Sequence, residues 1–176
     1  VEGAVGTTTV ANMMNWDHMR VFFRRTAALA AFVALLWAIQ VVNWITGYGL
    51  NPAFGLIPRH GSGLDGVIAM PLLHGSFSHL MANTPPLLVM GGLLVATTTR
   101  GLLSVNAVVI GLGGGLVWLF GGSAIHIGAS GLIFGWFGFL VARGFVGDEH
   151  GAWGVEDLAA VDVVVVVVAV DDVADR

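Results

Sequence analysis

The chain has no cysteine and no lysine, and only 10% of its 176 residues are charged. Without cysteine there is no disulfide, no thiolate metal site and no basis for inferring a redox compartment. A soluble domain carries about 25% charge, so an ordinary water-soluble fold is excluded. From Gly66 to Gly147 there is no Asp or Glu, and the only fixed charges are Arg100 and Arg143. No basic patch exists for a nucleic acid partner. What fills the chain instead is apolar: 56% of residues are hydrophobic and the mean hydropathy is +0.87. This is the composition of a membrane protein forming one compact helical domain. The formal charge of −4 carries little meaning, because most acids lie in the last thirty residues. Lysine-free, Arg-, Ala-, Gly- and Val-rich usage fits a GC-rich genome. The N-terminus lacks the basic flank and apolar run of a secretory signal. Residues 1–13, which begin with Val and end in Met13, are given no role in the fold.

Four segments read as membrane-spanning helices, at about 26–47, within 67–99, at about 102–120, and from Ser130 to about 147. Each offers about 18 or more residues, enough for a hydrocarbon core of about 30 Å. With the N-terminus inside, Arg20, Arg24, Arg25, Arg100 and Arg143 fall on the cytoplasmic side and Arg59 alone outside. That bias follows the positive-inside rule. It places the Gly-, Pro- and Asn-containing loop 48–66 outside, together with the short loop 121–128, and so puts Ser130 near the outer end of the fourth helix. Pro85-Pro86 falls inside the second segment, where proline kinks or breaks a helix. A packing kink and a kink that shapes a site are equally compatible with that position.

The division along the chain is therefore a cytoplasmic segment 1–23, a transmembrane domain 24–147 and a divergent tail 148–176. Residues 147–176 carry eight of the eleven acids, and Val163 to Val168 are six consecutive valines. Nearly all of the tail is Gly, Ala, Val, Asp or Glu, whose codons all begin with G. The expectation is that the tail is translated out of frame or otherwise substituted.

Polar side chains at membrane depth are costly and mark functional sites. His79 and Asn83 are four apart and share one helix face, and His74 stands at or before the start of that helix. Gly128-Ala129-Ser130-Gly131 opens the fourth apolar run. A serine that attacks a carbonyl creates an oxyanion, which needs aimed donors: a side-chain amide, an imidazole N–H or a backbone N–H. A helix N-terminus adds free N–H groups and a positive dipole end. The glycines permit a tight turn and close substrate approach. His74 and His79 are poorly spaced for a metal and have no carboxylate near them, so neither metal nor cofactor is expected.

His-x4-His-x3-Asn on one membrane helix followed by Gly-x-Ser-Gly opening a later one resembles the rhomboid family of intramembrane serine proteases, over about 74–144. The resemblance implies an all-α, polytopic, rhomboid-like membrane helical bundle, here with about four clear transmembrane helices and an incomplete C-terminal part. It implies Ser130 as nucleophile, His79 and Asn83 as oxyanion stabilisers, His74 as a supporting residue and Gly128 and Gly131 as motif glycines. Gly91-Gly92 also matches the family. The fourth helix is expected to pack on the histidine-bearing helix through Gly131, Gly135 and Gly138.

The implied activity is endopeptidase cleavage of membrane-anchored, transmembrane protein substrates, in a multi-pass protein of the cell membrane, read as a bacterial plasma membrane. The family's catalytic base is a histidine from a sixth core helix, and no such segment is found: His150 falls on the wrong side, and His126, His60 and His18 read as loop or interface residues. The fifth helix and the Trp-Arg signature of the first outer loop are also missing. The chain is accordingly expected to be inactive as written, with a non-catalytic rhomboid-like protein that binds transmembrane clients as the alternative.

Overall fold

The computed structural model describes residues 3–98 and 101–146. Arg100, His150 and the tail 148–176 lie outside the described residues. The helices in chain order are α1 (Gly3–Ile45), α2 (Leu50–Phe54), α3 (Gly66–Ala69), α4 (Phe77–Thr97), α5 (Leu102–Val108), α6 (Gly114–Phe120) and α7 (Ser130–Val146), with a π-helical segment, Val109–Gly113, joining α5 to α6. No strand occurs among the described residues. The molecule is an all-α bundle of apolar helices. Trp16–Ile45, Phe77–Thr97 and Leu102–Phe120 are each long and apolar enough to cross a membrane, and Ser130–Gly144 is a shorter apolar helix.

One expectation needs correction. α1 does not start near residue 26 but runs back to Gly3, because no glycine or proline interrupts the chain between Gly6 and Gly47. The second span lies within 67–99, as expected: α3 and a 3-10 turn, Met70–Leu72, precede a separate α4 that starts at Phe77. Ser76 sets that start, since its hydroxyl accepts the His79 N–H at 3.0 Å, an N-cap bond worth about 1 kcal/mol. Pro85 and Pro86 do not break α4, which continues to Thr97. Both prolines are exposed on its outer face.

α1 packs against α4, α4 against α7, and α7 against the α5–α6 helix. The α4 positions Leu80, Asn83, Leu87, Gly91 and Leu94 are buried at helical spacing. They meet Leu36 of α1 and Ala129, Leu132, Ile133, Trp136 and Phe139 of the α7 region in one core. Lipid is as apolar as leucine, so close packing rather than exclusion of water holds such helices together. At Gly91 an added Cβ would lie 2.7 Å from Leu29 Cδ1 and 3.0 Å from Trp136 Cζ3. The glycine thus lets α1 and α7 both close on α4.

The small-residue face of α7 works differently from expectation. Gly135 is seated against Val109 of the π-helical segment, in a contact too tight for any Cβ, and Gly131 has only Met70 Cε at 3.8 Å. Gly135 therefore faces the segment between α5 and α6, while Trp136 supplies the tight contact with Gly91 of α4. Trp136 also donates to Asn106 Oδ1 at 3.1 Å, fixing α7 to α5.

At one end of the bundle Arg25 donates to the Thr98 carbonyl at 2.6 Å and Arg143 to the Thr98 hydroxyl at 3.3 Å. Two cations from α1 and α7 thus meet the C-terminal, negative end of the α4 dipole. His74 and Ser130 lie at the other end.

Candidate active site

Ser130 is the first residue of α7 and is half-buried. The turn before it is held from several sides. The Gly128 N–H donates to the Met70 carbonyl at 2.8 Å, and the Ala129 N–H to His74 Nε2 at 3.4 Å. Two residues before Gly128, His126 exchanges both backbone hydrogen bonds with Leu56, at 3.1 and 2.9 Å. Arg59 adds a third tie. Its guanidinium donates to the carbonyls of Leu119 at 3.2 Å and Gly121 at 2.8 Å, capping the C-terminal end of α6. The loop between α2 and α3 and the turn before Ser130 therefore form one hydrogen-bonded unit.

Gly128 has φ +124, a conformation that L side chains rarely adopt, and an added Cβ there would lie 2.9 Å from His79 Cε1, 3.0 Å from His79 Nε2 and 3.9 Å from Asn83 Nδ2. The motif glycine is thus laid directly on the imidazole and the amide that one α4 face presents. Asn83 is 8% exposed, and its Nδ2 has no hydrogen-bond acceptor among the described residues. Buried donors are nearly always paired, so this one is available to an acceptor that enters the site.

His74 is fully buried, and its ring stands edge-on to that of His79, with centroids 5.1 Å apart. Desolvation first, and the neighbouring His79 second, push the His74 imidazole down to about 4, so it is neutral near pH 7. Its Nε2 accepts the Ala129 N–H, which places the ring proton on Nδ1.

His74, His79 and Asn83 are brought against the Gly128–Ser130 turn, through Gly128 at His79 and Asn83 and through Ala129 at His74; spacing alone predicts only that His79 and Asn83 share a face. Gly131 stands apart from the histidines, in ordinary contact with Met70. His126 turns its Nε2 to the Gly122 carbonyl at 3.3 Å, which makes it a loop residue. His18 and His60 are exposed. The Ser130 hydroxyl makes no hydrogen bond among the described residues.

Residues 63–173 match the Rhomboid domain. The chain belongs to the rhomboid family. Uncharacterised proteins of Mycobacterium tuberculosis and Mycobacterium bovis are each 43% identical to this rhomboid-family chain over 122 residues, covering 66% of it and 50% of the relative. A Mycobacterium leprae protein, likewise uncharacterised, is 37% identical over 122 residues, covering 66% of this chain and 48% of its own. The chain thus spans about half the length of the curated relatives it matches. No solved structure matches it significantly.

Two residues escaped the sequence reading. Asn43 of α1 is 0% exposed and Gln40 is 1% exposed, both in a membrane-length helix. Their spacing of three, in line with Leu36, is a signal of one inward face that the sequence carried. Arg59 enters the sequence reading only as the one arginine expected outside, and its role as a cap could not be read from sequence.

Proposed function

We propose that this chain carries the nucleophile and the oxyanion side of a rhomboid-type intramembrane serine endopeptidase. The observation that carries the reading is the placement of Gly128 against His79 and Asn83, one turn from Ser130, with the buried Asn83 Nδ2 unpaired among the described residues. In the first step Ser130 Oγ bonds to the scissile carbonyl carbon and gives up its proton to a base, and the carbonyl oxygen becomes an oxyanion. Asn83 Nδ2, the His79 imidazole and the N-terminal N–H groups of α7 are the donors available to it. Collapse breaks the C–N bond, the leaving amine takes the proton, and water then hydrolyses the acyl-enzyme. Such donors are worth about 10²–10³ in rate each in measured cases.

The substrates in this reading are membrane-anchored proteins with a transmembrane segment, cut near the outer face. Arg20, Arg24, Arg25, Arg100 and Arg143 facing the cytoplasm and Arg59 facing out support a multi-pass orientation with the N-terminus inside, in a bacterial plasma membrane. No histidine among the described residues bonds to Ser130, and that favours a second reading, a non-catalytic rhomboid-like protein that holds transmembrane clients.

A fluorophosphonate probe on purified protein separates the two. Labelling of the wild type that vanishes in Ser130→Ala supports the endopeptidase, and wild-type protein that never labels supports the client-binding reading.

A further inference from the structure

His74 touches the nucleophile turn, but no regular structure holds its own backbone. It sits in the irregular stretch between the Met70–Leu72 turn and α4. Buried irregular backbone persists only where other protein groups satisfy it. Here the groups come from α1 and α2. Asn43 Nδ2 donates to the His74 carbonyl at 3.2 Å and to Asn51 Oδ1 at 2.8 Å. Asn51 Nδ2 adds a second donor to the same carbonyl at 3.4 Å. Asn43 Oδ1 accepts the Leu50 N–H at 3.2 Å, so the polar capacity of this fully buried amide is well used.

The chain also bends sharply to make this possible. After α1, Gly47 and Tyr48 both take left-handed backbone, at φ 64 and φ 63, and the Tyr48 N–H closes onto the Asn43 carbonyl at 2.6 Å. For a tyrosine that conformation costs about 1–2 kcal/mol. The bend returns Leu50 and Asn51 to the Asn43 side chain. Strain of this kind persists where surrounding contacts over-determine it.

We propose that Asn43, with Asn51, is a positioning residue: the amide pair grips the His74 backbone and so sets the imidazole against the Ala129 N–H that precedes Ser130. Its importance to catalysis rests on the reading of Ser130 as nucleophile. The grip itself does not.

The test uses the full chain in lipid nanodiscs, with residue-resolved amide exchange and ¹⁵N spectra of the histidine rings. In Asn43→Ala the Ala129 amide exchanges about tenfold faster, the worth of one to two hydrogen bonds, while amides in the middle of α4 and α7 keep their protection. The His74 signature of an accepting Nε2 and protonated Nδ1 shifts with it. Asn51→Ala, at a half-buried site, gives a smaller change at the same amide and carries the test if Asn43→Ala does not fold. Gln40→Leu removes another buried amide of the same helix face, one with no bond to His74, and leaves Ala129 unchanged. Unaltered exchange at Ala129 in both asparagine variants overturns the proposal, as does faster exchange spread evenly over all helices. If the wild type takes up a fluorophosphonate, Asn43→Ala slows labelling of Ser130, and an unslowed rate overturns the positioning role. If the wild type takes up none, the endopeptidase reading fails while exchange still decides the grip.

Discussion

Gly128 and Gly131 flank Ser130 in the same short motif, yet the structure assigns them opposite sensitivities. In Gly128→Ala the new Cβ would stand 2.9 Å from His79 Cε1 and 3.0 Å from Nε2, at φ +124. The backbone strain costs about 1–3 kcal/mol, and the displacement of a packed ring adds about 1–3 kcal/mol. Either His79 moves away or the turn does, so the loss falls on the donors beside Ser130 as well as on stability. In Gly131→Ala the nearest atom would be Met70 Cε at 3.8 Å, an ordinary contact, and the residue is already helical. That change is neutral or stabilising by up to about 1 kcal/mol. Unfolding in mixed micelles, followed by the fluorescence of the six tryptophans, measures both. A Gly128→Ala variant as stable as wild type, with Gly131→Ala clearly weaker, would refute the placement of Gly128 against His79.

Two further outcomes follow from the same geometry. Gly135→Ala drives a methyl into Val109 and destabilises by about 1–3 kcal/mol; Val109→Ala in the same chain restores much of that loss, and a double-mutant cycle that shows no coupling contradicts the contact. His74 resists protonation in the folded state, at about 4 against an ordinary 6.5. Its contribution to stability is therefore full above about pH 6.5 and is lost as the pH falls toward 4; the unfolding midpoint of the wild type drops over that range, and a His74→Gln variant that drops equally would remove this cause.

The legible parts of the molecule were those whose signal is local. His79 and Asn83 share a face because they are four apart, and Ser130 opens a helix because glycines precede an apolar run. The α4 start is also written locally, in the Ser76 cap. What could not be read depends on contacts between distant segments. The sequence order does not reveal that Val109 lies in a π-helical segment that meets Gly135, or that Arg59 reaches the end of α6. Nor does it show that α1 carries, two residues before its end, an asparagine that grips the backbone of His74. The length of α1 is hidden for another reason: polar residues such as Asn15, Asp17 and His18 lower hydropathy, yet none of them costs a helix as much as proline or glycine would.

The ties that shape the turn before Ser130 are all long in sequence. Arg59 and Gly121 are 62 residues apart, and His74 and Ala129 are 55 apart. Contacts of such separation must meet the entropy of closing large loops before they yield any stabilisation. They form once α1, α4 and the α5–α6 helix are already side by side. A nascent chain with only its early helices in the bilayer therefore exposes no organised serine turn. The geometry around Ser130 is a product of completed assembly, not of any one helix.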